Sequence, residues 1–281
     1  MFFTTSDSLR ITPLRILRYV LIAAALAFFI FPIFWLITTS FKNDVDVFAM
    51  PPKLFVFTPT LRNFIHVFNE TDIPQLAVNS LIAALSNVVL SLIIGTMAAY
   101  GISRFKAGGK NLLFWFLSLR MLPPIVVSIP LFLIAAKLRL IDTRLILPLM
   151  YLLLNVPFVI WMMKSFIDEI PLDIEESALI DGCSYFGTLW RIVLPMITPG
   201  LVATGVLCFI FAWNEFLIAM IFTRVHATTL PVGLSGFITT EQVFWGYLTA
   251  SATVAALPPL VLAWIFQRYM VRGLTLGAVK T

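Results

Sequence analysis

The sequence predicts an all-α integral membrane protein with six transmembrane helices, and three observations carry that prediction. Of 281 residues, 60% are hydrophobic and 12% charged, with a mean hydropathy of +0.99, whereas a soluble domain carries about 25% charged residues. Apolar windows of about 20 residues, the length that crosses roughly 30 Å of hydrocarbon, occur six times. Each window is continuously apolar rather than alternating, which excludes the dyad pattern of a β-barrel strand.

The windows fall at about 15–40, 76–101, 112–136, 145–167, 198–223 and 246–270. The first follows Arg10, Arg15 and Arg18 and contains Ala23, Ala24 and Ala25, as a secretory leader would. Its apolar run continues from Phe28 to Ile37 with no small-residue cleavage site, past the roughly 7–15 apolar residues of a leader, so a retained helix is expected. The third window contains Arg120 and the pair Pro123 and Pro124, and the fifth contains Asn214 and Glu215. No internal repeat or low-complexity stretch interrupts them, and one integral domain is expected over residues 1–281.

Charge sets the expected orientation. With the N-terminus inside, the inner segments hold Arg10, Arg15, Arg18, Arg104, Lys106, Lys110, Lys164, Arg191, Arg268, Arg272 and Lys280; the outer ones hold Lys42, Lys53, Arg62, Lys137, Arg139, Arg144 and Arg224. Eleven against seven places both termini in the cytoplasm, although the loop from Lys137 to Arg144 opposes it. The net charge of +5 then reads as inside-facing anchoring against lipid, with no nucleic-acid partner. Cys183 falls in an inner loop and Cys208 within a span, a spacing that suits neither a disulfide nor a metal site.

Between the fourth and fifth windows lies "EESALIDGCSYFGTLWRIVLP", residues 175–195, unusually polar for this chain. Asp173 can cap the first amides of a short helix while Glu176 reaches back, the capping-box arrangement. Gly182 can stop that helix in a left-handed turn, Ser184 can cap a second helix, and Pro195 can end it. An amphipathic linker lying in the membrane interface fits the same composition.

The spacing of Glu176, Ser177, Ala178, Gly182, Ile192, Leu194 and Pro195 resembles the loop signature of bacterial ABC importer permeases, E-A-A-x3-G-x9-I-x-L-P. Only Ser177 departs from it, one small residue for another. The stretches "VNSLIAAL" (78–85), "AAYGISRF" (98–105), "RMLPPIVVSIPLF" (120–132), "WNEFLIA" (213–219) and "TLPVGL" (229–234) are similar, in order, to the six-span permease of maltose-type carbohydrate importers.

That resemblance implies a cytoplasmic coupling-helix loop over about 168–197, in which Glu176, Ser177, Ala178, Asp181, Gly182, Ile192, Leu194 and Pro195 dock into an ATPase. It implies a second permease as heterodimer partner, two ABC ATPase subunits and an extracytoplasmic solute-binding protein. No G-x4-G-K-[ST] loop occurs in the chain, so no cofactor is expected here and ATP belongs to the partner subunits. The outer loop over about 224–245, with Pro231, Gly233 and Gly236, resembles the segment that reaches into the binding protein. The tail after Arg272 resembles an extension that touches the ATPase pair. Either segment also reads as a plain connector.

Polar residues at membrane depth supply the remaining signal, because a charge at a helix centre costs at least about 2.5 kcal/mol unless it meets a partner or water. Arg120 reads as an ion-pair member, a contact to a carbonyl freed by the prolines, or a substrate contact. Asn214 and Glu215 read as lining a path or as bonding across helices. Asn79, with Ser80, suits a cap or an interhelical bond as well as the path. Pro123 and Pro124 remove two amide donors and predict a kink beside a cavity or gate.

The resulting expectation is an inner-membrane permease subunit carrying a sugar or sugar-like solute by alternating access, without chemistry of its own. A permease for a non-sugar solute is the nearest alternative. An ion-coupled carrier would show inverted repeats and midplane acids without a docking loop, and a membrane enzyme would cluster His, Asp or Glu, whereas His66 and His226 both fall in outer loops.

Overall fold

The computed structural model describes residues 13–109 and 111–276. Arg10, Lys110, Lys280, the side chain of Arg272 and the tail beyond Leu276 lie outside the described residues. Among the described residues the regular structure is helical, joined by irregular connections, apart from a single pair of bridged residues, Ile238 and Val243.

The order begins with α1 (Pro13–Ser40), α2 (Asp44–Val47), α3 (Arg62–Asn69) and α4 (Ile73–Phe105). The third window becomes α5 (Leu112–Leu119) and α6 (Pro124–Lys137), and the fourth becomes α7 (Ile146–Asp168). Next come α8 (Leu172–Ile180), α9 (Tyr185–Thr188), a π-helical stretch (Leu189–Val193) and the single turn α10 (Leu194–Met196). The chain closes with α11 (Thr198–Trp213), α12 (Leu217–Phe222), α13 (Leu230–Ser235) and α14 (Trp245–Leu276).

Among the described residues four helices, α1, α4, α7 and α14, are each long and apolar enough to cross a membrane; two bent pairs raise that to as many as six. The expected third span is not one kinked helix. Its halves meet at 87°, because Pro123 is extended (φ −58°, ψ 125°) and Pro124 opens α6 at the position where a missing N–H is harmless. The expected fifth span is also interrupted: α11 stops at Trp213 and α12 begins at Leu217.

Packing centres on α4 against α7, with α11 across both. Two glycines allow the close approach. A Cβ on Gly95 would lie 2.5 Å from Val159 Cγ1, and one on Gly200 would lie 2.5 Å from the Phe166 ring, the small-residue contact through which membrane helices pack. One apolar cluster gathers Ile146, Tyr151, Phe209, Trp213, Phe222 and Leu230. A second, toward residues 170–197, gathers Val159, Met163, Phe166, Leu189 and Val193. By contrast α1 exposes nearly its whole apolar length and rests on α14, as a lipid-facing helix does.

Polar bonds tie the same three helices at depth. The Asn155 amide donates to Asn87 Oδ1 (2.6 Å) and to the Cys208 carbonyl (3.0 Å), while Asn87 Nδ2 donates to the Pro148 carbonyl (2.9 Å). Both asparagines are buried. Near its start α4 is bound to the segment after α12: Asn79 Nδ2 donates to the carbonyls of His226 and Thr228, 3.0 Å each, and Ser80 Oγ accepts from the Leu230 amide (2.8 Å).

Candidate functional site

The polar segment between α7 and α11 folds as two short helices about a glycine turn. Pro171, extended at ψ 135°, precedes α8, and no side chain caps that helix. The expected capping box is therefore absent: Asp173 lies inside the first turn, where its carbonyl accepts from Ser177 Oγ (2.7 Å). Gly182 sits at φ +89°, and the amides of Gly182 and Cys183 fold back to the carbonyls of Leu179 (3.1 Å) and Ala178 (3.0 Å), a C-terminal turn that favours glycine. Ser184 caps α9 as its type predicts, accepting from the Gly187 amide at 3.1 Å. Pro195 lies one residue before the second helix ends at Met196, where the chain meets α11 at 79°.

The faces of this pair differ. Ala178, Thr188, Leu189 and Val193 are buried against the bundle, with Ile192 and Leu194 half-buried. Glu176, Ser177, Asp181, Gly182 and Pro195 are exposed, beside uncovered Ile180, Tyr185, Phe186 and Trp190. Ile180 is 86% exposed. Apolar and acidic residues thus share one open surface, the composition of a protein-binding patch.

What holds the patch to the bundle is Arg104, in the last turn of α4. Its Nη2 lies 2.6 Å from Glu175 Oε1 and its Nε donates to the same oxygen at 2.7 Å. Nη2 also donates to the carbonyls of Ile167 (2.7 Å) and Ile170 (3.0 Å), at the end of α7. Tyr100 Oη donates to Glu175 Oε2 at 2.8 Å. Three segments converge on one guanidinium, and a side-chain pair 9% and 6% exposed is costly to break. Edge-on contact of Phe105 with Tyr185, centroids 4.9 Å apart, joins α4 to α9 as well.

The other predicted residues form no single site. The Arg120 guanidinium sits 5.0 Å from the ring centroids of both Phe158 and Phe211, with no ion pair or hydrogen bond among the described residues. Glu215 spends its carboxylate on the start of α12, accepting from the amides of Ile218 (2.9 Å) and Ala219 (3.1 Å). Asn214 is exposed and donates to the Ile210 carbonyl one turn back (2.8 Å). Both bond within their own segment rather than across helices. Asn79 engages residues 226–228, and Pro123 and Pro124 make the α5–α6 break. Beside that break an open cavity of about 340 Å³ is lined by Ile94, Leu119, Leu122, Pro124, Pro157 and Ile218, among other apolar residues, and offers no hydroxyl partner.

Sequence reasoning missed Arg104 and Glu175 as a pair, Asn87 and Asn155, and Asp142. The Asp142 carboxylate, in the loop between α6 and α7, accepts from four successive amides, Arg224 to Ala227, at 2.9–3.2 Å. Burial alone would raise its pKa, but those amides outweigh burial and hold it at about 2. Asparagines at mid-span were the available sign for the Asn87–Asn155 network; for Asp142, the sign was a single acid among Lys137, Arg139 and Arg144.

Comparison with known proteins fits this arrangement. Residues 91–276 match the family described as the inner membrane component of binding-protein-dependent transport systems. The chain is 38% identical over 267 residues to a probable ABC transporter permease protein of Sinorhizobium fredii, covering 95% of this chain and 96% of that one. It is 35% identical over 256 residues to the trehalose/maltose transport system permease protein of Thermococcus litoralis, covering 89% and 91%. A chain of a bacterial ABC transporter involved in importing the acidic polysaccharide alginate shares the fold, with a TM-score of 0.74 at 20% identity over 96% of this chain and 99% of that one. On the family match and these relatives, the chain belongs to the inner-membrane permease components of binding-protein-dependent ABC transport systems.

Proposed function

We propose that this chain is one permease of a heterodimer that imports a sugar or sugar-like solute. An extracytoplasmic binding protein delivers the solute, and two separate ATPase subunits drive alternating access. ATP belongs to those subunits, and this chain holds no cofactor or ATPase site of its own. Both termini lie in the cytoplasm, as the charge bias favours, and residues 1–281 form one transmembrane domain. The sugar reading is supported by the trehalose and maltose carried by the relative from Thermococcus litoralis and by the family-like stretches of the sequence.

One observation carries the mechanism: the exposed helix pair around Gly182 is fixed to α4 and α7 by Arg104 rather than hanging from flexible connectors. ATPase closure against Ile180, Tyr185 and Phe186 therefore moves the end of α4, and the rigid run from α9 to α10 pushes on α11. Rigid-body motion of packed helices is the usual form of such transitions. Arg120 and Asn214 supply polar groups at membrane depth on surfaces that this subunit leaves open, and these face the translocation path or the partner permease.

The test is reconstitution with the binding protein, partner permease and ATPases in proteoliposomes. Uptake of maltose or trehalose is expected to require all four components and ATP. A cysteine introduced as Ser184→Cys, with Cys183 and Cys208 replaced, should react with impermeant thiol reagents from the cytoplasmic side alone. Labelling from outside in intact cells would reverse the orientation and remove the docking role.

A further inference from the structure

Resting on that carbohydrate reading, we propose that the outer face carries a small carbohydrate-binding cleft on this subunit, between α2 and the start of α14. The cleft has a volume of about 230 Å³ and is lined by Asp44, Phe48, Gln242, Val243, Phe244, Gly246 and Tyr247. Its chemistry suits a hydroxyl-rich ring. A carboxylate and a primary amide supply acceptors and donors, and aromatic rings supply the flat apolar surface against which the C–H face of a sugar packs. It is the reverse of the apolar cavity beside Pro124, and ligand sites pair such apolar walls with a few placed polar groups.

The polar groups are free for a ligand. Asp46, two residues along, is bound to Lys53 at 2.5 Å, whereas the Asp44 carboxylate has no side-chain partner among the described residues. The Gln242 backbone is held from both sides by Thr239: its carbonyl accepts from the Thr239 amide (3.0 Å) and hydroxyl (2.7 Å), and its amide donates to Thr239 Oγ1 (3.1 Å). Its side-chain amide is unengaged among the described residues.

The walls are built in advance. Tyr247 stacks on His66 with centroids 4.0 Å apart, Phe244 lies nearly parallel to Tyr247 at 6.1 Å, and His66 is itself fixed by Glu70 at 2.8 Å. Asn63 donates to the carbonyls of Ser40 and Lys42, 2.9 Å each, and its side chain fills the place where a Cβ on Gly246 would fall. That contact seats the chain entering α2 against the start of α14. Fixed rings and fixed backbone lower the ordering cost of binding.

The experiment uses the complete importer, with Cys183 and Cys208 replaced by alanine and Val243→Cys as reporter. The probe is whichever of maltose, trehalose or diacetylchitobiose the unlabelled importer transports fastest. Added without the binding protein, that sugar is expected to protect the reporter thiol from an impermeant maleimide. Asp44→Asn should raise the half-protecting concentration about tenfold, as loss of a charged hydrogen-bond partner does, with binding-protein affinity unchanged. Absence of protection by a sugar that is transported overturns the proposal and leaves the carbohydrate function standing. Protection by sugar-free binding protein alone, with none by sugar, makes the cleft a protein contact and also overturns it. If none of the three sugars is transported and the importer instead carries a non-carbohydrate solute, the carbohydrate reading fails and the cleft proposal falls with it.

Discussion

Arg104 and Glu175 stand 71 residues apart in sequence and 2.6 Å apart in space. Removing one member of a buried pair leaves the other unpaired, at about 3–5 kcal/mol. Glu175→Gln and Arg104→Met are therefore each expected to lower the melting temperature of the purified permease pair and to uncouple ATP hydrolysis from the loaded binding protein. Replacing both together, with Glu175→Leu, should recover only part of the melting temperature, because Tyr100 and the Ile167 and Ile170 carbonyls still lose their partners, and should not recover the coupling. Wild-type melting and wild-type stimulation in Glu175→Gln would remove the pair from the transmission route.

At Gly182 the difficulty is backbone alone, because a Cβ there meets nothing within 4 Å while φ is +89°. Strain at such a position is of order 1–3 kcal/mol for residues with a side chain and is worst for β-branched ones. The expected order of retained ATPase on co-purification is Gly182→Asn above Gly182→Ala above Gly182→Val. Equal recovery across the three, with equal transport, would show that the turn does not shape the docking surface.

For Asp142 the sign of the pH dependence follows from the direction of the shift. Its carboxyl is held at about 2, below the ordinary 3.8, so the stabilisation is complete above about 3.8 and is lost as pH falls toward 2. At neutral pH, Asp142→Asn removes the anion from four amides and puts an NH2 donor among donors, costing about 1–3 kcal/mol. Trypsin added from outside should then cut after Arg224 about tenfold faster than in the wild type. Unchanged cleavage would mean that the segment is held by Asn79 and Ser80 instead.

Arg120 and Glu215 are engaged separately, one on Phe158 and Phe211, the other on the amides of Ile218 and Ala219. Arg120→Met and Glu215→Gln should each leave assembly intact and lower sugar flux or change its selectivity. Their effects should add to within about 0.5 kcal/mol in a double-mutant cycle. A double variant that restores assembly lost in either single one would make them a structural pair.

The long spans, the glycine turn and the Ser184 cap were legible because each depends on local rules: continuous apolarity, a left-handed φ and an oxygen three residues before an amide. The breaks were only half legible. Pro123 and Pro124 announce a departure from the helix, but whether the chain kinks or turns by 87° depends on where α5 and α6 find partners, on α7 and α12 respectively. Glu215 reads as a membrane-depth charge and proves to be the acceptor that lets a new helix begin. Arg104 and Glu175 were hidden because each has an ordinary reading, a cytoplasmic anchor and a loop acid, and only the fold sets one against the other. Glu176, which carries the family resemblance, points outward, and its neighbour does the binding inside the subunit.

Helix α4 is held near one end by the residues that follow α12, through Asn79 and Ser80, and at the other by the α8 segment, through Arg104 and Glu175. About 24 residues separate Ser80 from Arg104, or roughly 36 Å of unbroken helix. Such a rod offers a path for coupling between ligands bound at its two ends, and any coupling it carries is reciprocal. Whatever factor an outer occupant imposes on the affinity for the inner one, the inner occupant must return in the same measure. Titrating the binding protein with and without bound ATPase, and the ATPase with and without binding protein, should give one ratio from two experiments.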